Sequence, residues 1–216
     1  MKNLTNSLTF IFVLIGLNSC FAQDINPKFT QAIKNGLDQV ATAKNAEDYI
    51  KAENYFERIA SVETKEWTPS YYAAYCNLYA GFNTADKDLK DQYWDKALQE
   101  IDKADALKAN NSEIYALKGA LQFMKMTIDP RSRMYFINDS AESLEKAKAL
   151  NPENPRIYLI QGQDTFYTPE AFGGGKGKAK PILESAVAKF AIFKPANTIE
   201  PNWGAESAKA LLTQCK

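Results

Sequence analysis

Phe172-Gly173-Gly174-Gly175-Lys176-Gly177-Lys178 is the stretch of this 216-residue chain that comes nearest to a chemical motif. Glycines that let backbone N–H groups close on an anion, followed by lysines at a helix start, are the ingredients of a phosphate cradle. The spacing departs from the Walker pattern, however. Ala179 stands where a Ser or Thr must hold the metal, and no strand precedes the loop. The stretch reads first as a flexible connection between two helices, with Pro181 in the first turn of the second. Its second reading is an anion loop built on Gly173, Gly174, Gly175, Lys176 and Lys178.

The rest of the chain offers little for catalysis. There is no histidine, which removes His-dependent triads, His metal ligands and the commonest general base. The carboxylates are spread over helix faces opposite lysines, as in Glu142/Lys146 and Glu145/Lys148, a solvated surface and not a metal cluster. No nucleophile, base and orienting group can be assembled, so the expectation is a non-enzymatic protein with no metal and no cofactor. Cys76 and Cys215 fall far apart along the fold expected below, too far for the roughly 7 Å that a disulfide tolerates, and Cys76 reads as a small core residue.

Residues 1–22 read as an export signal: Lys2, an apolar run Leu8–Leu17, and Cys20-Phe21-Ala22 as a small-x-small cleavage site before Gln23. The mature domain is then 23–216, carried out of the cytoplasm to the periplasm or the outer membrane. Cleavage after Ala22 competes with a second reading, in which Leu17-Asn18-Ser19-Cys20 resembles a lipoprotein signal and Cys20 carries lipid as a membrane anchor. Losing Lys2 leaves 25 basic and 26 acidic residues, a net charge of −1. That balance gives no footprint for nucleic acid and no basic helix for a membrane surface, and no later segment is apolar enough to span a bilayer.

What must position any functional surface is a repeat of 43 residues. Ile101–Gly119 laid over Leu144–Gly162 gives eight identities in nineteen positions, among them Asn111/Asn154, Ile114/Ile157, Tyr115/Tyr158 and Gly119/Gly162. Ungapped self-similarity of this kind marks stacked units that each bury an apolar face on the next. Within each unit the apolar spacing of three and four residues predicts paired helices. Tyr72, Tyr115 and Tyr158 open the first helix. Cys76, Gly119 and Gly162, four residues on, keep room for a neighbouring helix. Stripes such as Trp94, Leu98, Ile101, Ala104 and Leu107 mark the second. Thr68 is read as an N-cap, Asp129-Pro130 as the start of a long helix, and Asn202 as the cap of the last one. The hairpins fall at about 28–62, 69–108, 112–150 and 155–191, with a capping helix at about 202–215.

The large residue at one position, the small one four later and the alanines of the second helix, as in Tyr158, Gly162, Ala141 and Ala147, resemble the tetratricopeptide repeat (TPR) family. The period of 43 exceeds that family's 34, the additional residues lying between paired helices. The resemblance implies an all-α, right-handed superhelical array of antiparallel hairpins. It also implies a concave groove lined by first helices, carrying here Asn77, Ala120, Phe123, Met124, Leu159, Gln163, Phe166 and Tyr167. A protein-interaction scaffold of the cell envelope, taking a protein or peptide segment in that groove, is the function implied. The alternative is a small-molecule or anion-binding accessory protein using the loop at 173–178.

Overall fold

Asparagine or aspartate starts five of the nine described α-helices. The side chain of Asn26 accepts from the N–H of Lys28, Asn45 from Asp48, Asp86 from Asp88 and Leu89, Asn111 from Glu113, and Asn154 from Arg156. Each satisfies N–H groups that a helix start leaves without partners. The computed structural model describes residues 26–215, and among these it is all-helical. In chain order come α1 (Pro27–Thr42), α2 (Ala46–Val62), α3 (Thr68–Phe82), α4 (Lys87–Leu107) and α5 (Ser112–Ile128). Then follow α6 (Tyr135–Leu150), α7 (Pro155–Tyr167), a 3-10 turn (Glu170–Phe172), α8 (Lys176–Ile192) and α9 (Ala205–Gln214). None of the described helices is long and apolar enough to cross a membrane. The leader at 1–22 and Cys20 lie outside the described residues.

Consecutive helices pair as antiparallel hairpins, α1 with α2, α3 with α4, α5 with α6 and α7 with α8, and the hairpins stack. The small repeat positions allow the pairing to be tight. A methyl group added at Gly119 would sit 2.8 Å from Leu144 Cγ, and one at Gly162 would sit 2.6 Å from Leu183 Cδ2. Leu144 and Leu183 are buried second-helix residues, so each fills the space left by the glycine of its partner. Successive first helices α1, α3, α5 and α7 bring their backbones close to one another, whereas the second helices stand further apart, α2 and α4 meeting through Lys96 with Glu53 at 3.3 Å and Glu57 at 2.8 Å. The array therefore curves with its first helices inside.

Three local expectations change. Thr68 lies inside the first turn of α3, after Trp67 at the cap position, and its buried hydroxyl has no partner. The helix expected from Asp129 begins only at Tyr135. Residues 129–134 instead form a turn in which Arg133 reaches back to α4 and binds both carboxylate oxygens of Asp91, at 2.5 and 2.9 Å. Lys125 meets the same carboxylate, and with Arg133 leading, these bonds hold Asp91 down at about 2. The last helix starts at Ala205, after Gly204 in the left-handed region at φ 108°, and not at Asn202. Cys76 and Cys215 are free thiols, the first fully buried.

Between α8 and α9 the chain runs without helix over residues 193–204. Asn197 shapes this strap by accepting from the N–H groups of Ile199 and Glu200, an Asx turn. The strap returns to the inner helices: Tyr72 Oη donates to the carbonyl of Ile199 at 2.9 Å, and Trp203 Nε1 donates to Tyr71 Oη at 3.0 Å.

Candidate functional site

A cleft opens where the strap meets the inner helices. α3 supplies Leu78, Tyr79 and Phe82, α5 supplies Ala120 and Met124, and α7 supplies Leu159, Ile160, Gln163 and Asp164. Trp203 of the strap and Ser207 of α9 complete the lining. About 40 Å³ is open to water, inside a funnel of about 440 Å³ counting its mouth. The walls are chiefly aliphatic and aromatic, with the few polar groups on α7 and α9. That is the composition of a small-molecule site.

The aromatic wall is fixed by its neighbours. Tyr79 stacks on Tyr49 with ring centroids 5.5 Å apart and lies 4.6 Å from Tyr75, which in turn meets Trp203 at 5.1 Å. Phe82 adds an edge-on contact to Tyr79 at 5.8 Å and remains 43% exposed at the mouth. Burial raises the phenol of Tyr75 well above the usual tyrosine range, so its ring is a neutral stacking surface at physiological pH.

Trp203 is held in place from behind by a buried ion pair. Arg156, on α7, is fully buried. Its guanidinium donates to Glu113 Oε1 at 3.0 Å and to the carbonyl of Pro201 at 2.6 Å. It also lies over three rings, Phe193 at 4.8 Å, Trp203 at 5.1 Å and Phe190 at 5.8 Å. One guanidinium thus ties α5, α7 and the strap together. Burial pushes the Glu113 carboxyl up to about 7 against the pull of Arg156.

Of the residues expected in the groove, Ala120, Met124, Leu159 and Gln163 line the cleft. The other four lie elsewhere. Asn77 occupies the repeat position of Ala120 and Gln163 but is 1% exposed, its amide donating to the carbonyl of Ala73 at 3.1 Å. Phe123 belongs to the main core. Phe166 packs partly buried beside the core of the last hairpin, under the ammonium of Lys176. Tyr167 is 62% exposed and meets Phe166 edge-on. Sequence reasoning missed Tyr79, Asp164 and Trp203. The first two sit beside groove positions on their own helices, while Trp203 arrives from a segment with no periodicity.

The glycine-rich loop is a close-packed turn. The N–H of Gly175 donates to the carbonyl of Thr165 at 2.8 Å and that of Gly174 to Pro169 at 3.2 Å. A methyl group at Gly174 would fall 2.1 Å from the carbonyl oxygen of Thr168. Gly173, Gly174, Gly175, Lys176 and Lys178 therefore seat the start of α8 against the end of α7. A second, wider hollow lies between α2 and α4, where Glu57, Ser61, Thr64, Ser70, Glu100 and Lys103 meet. Its buried Glu100 is already paired with Lys103 at 2.5 Å.

Stacked hairpins and an inner cleft define a TPR-like helical repeat protein. Structural comparison bears this out. TTC0263, a thermophilic TPR protein in Thermus thermophilus, superposes with a TM-score of 0.61 at 16% identity, over 87% of this chain and 80% of that one. The HusA haemophore from Porphyromonas gingivalis superposes with a TM-score of 0.76 at 31% identity, over 87% of this chain and 92% of that one. The chain belongs to the family of that haemophore. No protein-family model and no curated protein sequence matches it.

Proposed function

We propose that this protein is a non-catalytic carrier that holds haem, or a closely related flat tetrapyrrole, in the cleft between α3, α5, α7 and Trp203. The observation that carries the reading is the apolar and aromatic lining of that cleft, in a chain 31% identical to a haemophore over nearly its whole length. A macrocycle offers two broad apolar faces, and Trp203, Tyr79, Phe82 and Met124 are the side chains suited to cover them. With no histidine in the chain, binding rests on these faces and on the cleft's polar edge. The open space is small, so the ligand must displace the half-exposed Phe82 and lie partly in the mouth. Residues 1–22, read as an export leader, would place this carrier outside the cytoplasm.

Titrating the purified protein with haem and following the Soret band tests the reading. Saturable one-to-one binding is expected, weakened at least tenfold by Met124→Glu, which buries a charge in the apolar wall. Binding indifferent to that change would remove haem from this cleft. A second reading, a protein partner, is favoured by the exposed rings of Phe82, Tyr167 and Phe172. It would sit on their edge of the array, since Trp203 of the strap already forms one wall of the inner cleft.

A further inference from the structure

Because each hairpin returns antiparallel and the hairpins stack, the turns inside the hairpins lie along one edge of the array. On that edge large apolar side chains stand in water: Phe82 at the end of α3, Met134 and Tyr135 at the start of α6, and Tyr167 and Phe172 between α7 and α8. Apolar groups gathered on one surface mark a place where something else binds. Phe172 is the extreme case, 82% exposed. Its backbone is firmly held, since its N–H donates to the carbonyl of Pro169 at 2.9 Å and that of Gly173 donates to Glu170 at 2.9 Å. The fold thus presents this ring to solvent on a fixed turn, at a hydrophobic cost.

The balanced charge of the whole chain hides a local excess beside these rings. Between Tyr167 and Lys180 the only acid is Glu170, against Lys176, Lys178 and Lys180. All three lysines are exposed, and none takes part in an ion pair among the described residues. Lys176 holds its ammonium over the ring of Phe166 at 5.6 Å, so cations and aromatic rings share one patch. α8 has no side-chain cap and no acid in its first turn. Positive charge at a helix start opposes the macrodipole, so these lysines weaken the helix that carries them. An anionic counterpart outside the chain accounts for their place.

A bilayer surface fits both halves of the patch. Aromatic rings settle at the level of the headgroups, and neighbouring lysines are drawn to anionic lipids. Met134, Tyr135, Tyr167 and Phe172 project from the tips of separate turns and line neither hollow, whereas the anchors of a protein interface sit in packed pockets near its centre. Phe82 belongs both to this edge and to the mouth of the cleft, so the two surfaces are continuous.

We propose that this edge docks the protein on an anionic lipid surface, with Phe172 and Tyr167 entering the headgroup layer and Lys176, Lys178 and Lys180 pairing with lipid phosphates. The docking stands apart from the carrier reading. Joined to it, the mouth of the cleft opens toward the bilayer, and an apolar ligand passes between the two without crossing bulk water.

Flotation of the ligand-free protein with vesicles tests the docking, using phosphatidylcholine alone and phosphatidylcholine mixed with phosphatidylglycerol. The wild-type protein should bind the mixed vesicles at least tenfold more tightly than the neutral ones, and added salt should erase most of the difference. Lys176→Gln, Lys178→Gln and Lys180→Gln together should remove that preference. Phe172→Ser with Tyr167→Ser should weaken binding to the mixed vesicles at least tenfold. Val62→Ser with Ile192→Ser changes side chains as exposed as these on the opposite edge and should leave binding unchanged. All of these are surface positions, where substitution leaves the fold intact. A protein that stays in solution with the mixed vesicles, as it would if the edge served a protein partner, would overturn the docking. So would binding that survives the lysine or the ring changes, or an equal loss in the opposite-edge variant. Each of those results leaves the carrier reading to the haem titration, and a protein that floats with the vesicles yet binds no haem would overturn the carrier reading alone.

Discussion

Glu113 and Arg156 occupy the same position in successive repeats, 43 residues apart, and face each other as a buried ion pair at 3.0 Å. A repeat that kept one residue type here would set two like groups side by side. The exchange of sign turns a repeat position into a contact between units, and the Arg156 bond to Pro201 extends it to the strap.

Removing one partner of a buried pair leaves an uncompensated polar group, which costs about 3–5 kcal/mol. Arg156→Met should therefore lower thermal stability by roughly 10 °C for a chain of this size. The double variant Arg156→Met with Glu113→Gln should recover a substantial part of that loss. Calorimetry of the four proteins in the cycle measures the coupling, and additive losses would show that the pair is independent of its setting.

Stability should also depend on pH through the same residue. The carboxyl of Glu113 sits at about 7 in the fold against an ordinary 4.5, so the native state binds the extra proton. Its contribution is fully present below about pH 4.5 and is lost as pH rises through 7. Glu53 and Glu200 are raised by burial as well and act in the same direction. Asp91, held at about 2, is ionised throughout this window and adds no slope. Melting temperature should fall by roughly 5–10 °C between pH 5 and pH 8, with Glu113→Gln flattening most of the change.

The repeat glycines make a sharper test of packing. Gly162→Ala places a methyl group 2.6 Å from Leu183 Cδ2, and overpacking of that kind costs about 1–3 kcal/mol. Alanine's better helix propensity offsets about 1 kcal/mol of it. A net loss is expected in the native background, and a net gain in a Leu183→Ala background where the clash is gone. Chemical denaturation of the four variants reads the change of sign directly.

Trp203 both walls the cleft and anchors the strap. Trp203→Ala should weaken haem binding at least tenfold and raise amide exchange across residues 197–203. A variant that exchanges faster there yet binds as before would separate the strap from the site.

The helices and their order were legible because the repeat prints them twice. Asn111 and Asn154 mark the starts, and Tyr115 and Tyr158 with Gly119 and Gly162 mark the face on which the second helix lies. Four of the eleven residues lining the cleft, Ala120, Met124, Leu159 and Gln163, were legible through the first-helix positions that the TPR resemblance implies for a groove. Asn77 failed although it shares their register, because α1 and α2 cover that end and turn its amide to the core. The strap was invisible. Residues 193–204 have neither helical nor alternating period, and the bonds of Ile199 and Trp203 to Tyr72 and Tyr71 span 127 and 132 residues. Nothing local records a contact that distant. The charge exchange between Glu113 and Arg156 was present in the repeat alignment, and it is the signal that could have shown two units meeting there.

The return of residues 199–203 to α3 changes how this array can come apart. An open stack of repeats contacts only its neighbours, so it can fray from either end and begin folding at any unit. Here Tyr71 and Tyr72 of the second hairpin grip the segment that follows the fourth, and the hairpins between them lie inside a closed circuit. Detaching the C-terminal hairpin means first breaking contacts near the N-terminal end, so the units from α3 to α9 share one cooperative transition. The same circuit demands that a long stretch of chain be ordered before its last bonds form, which slows folding relative to an open stack of equal length.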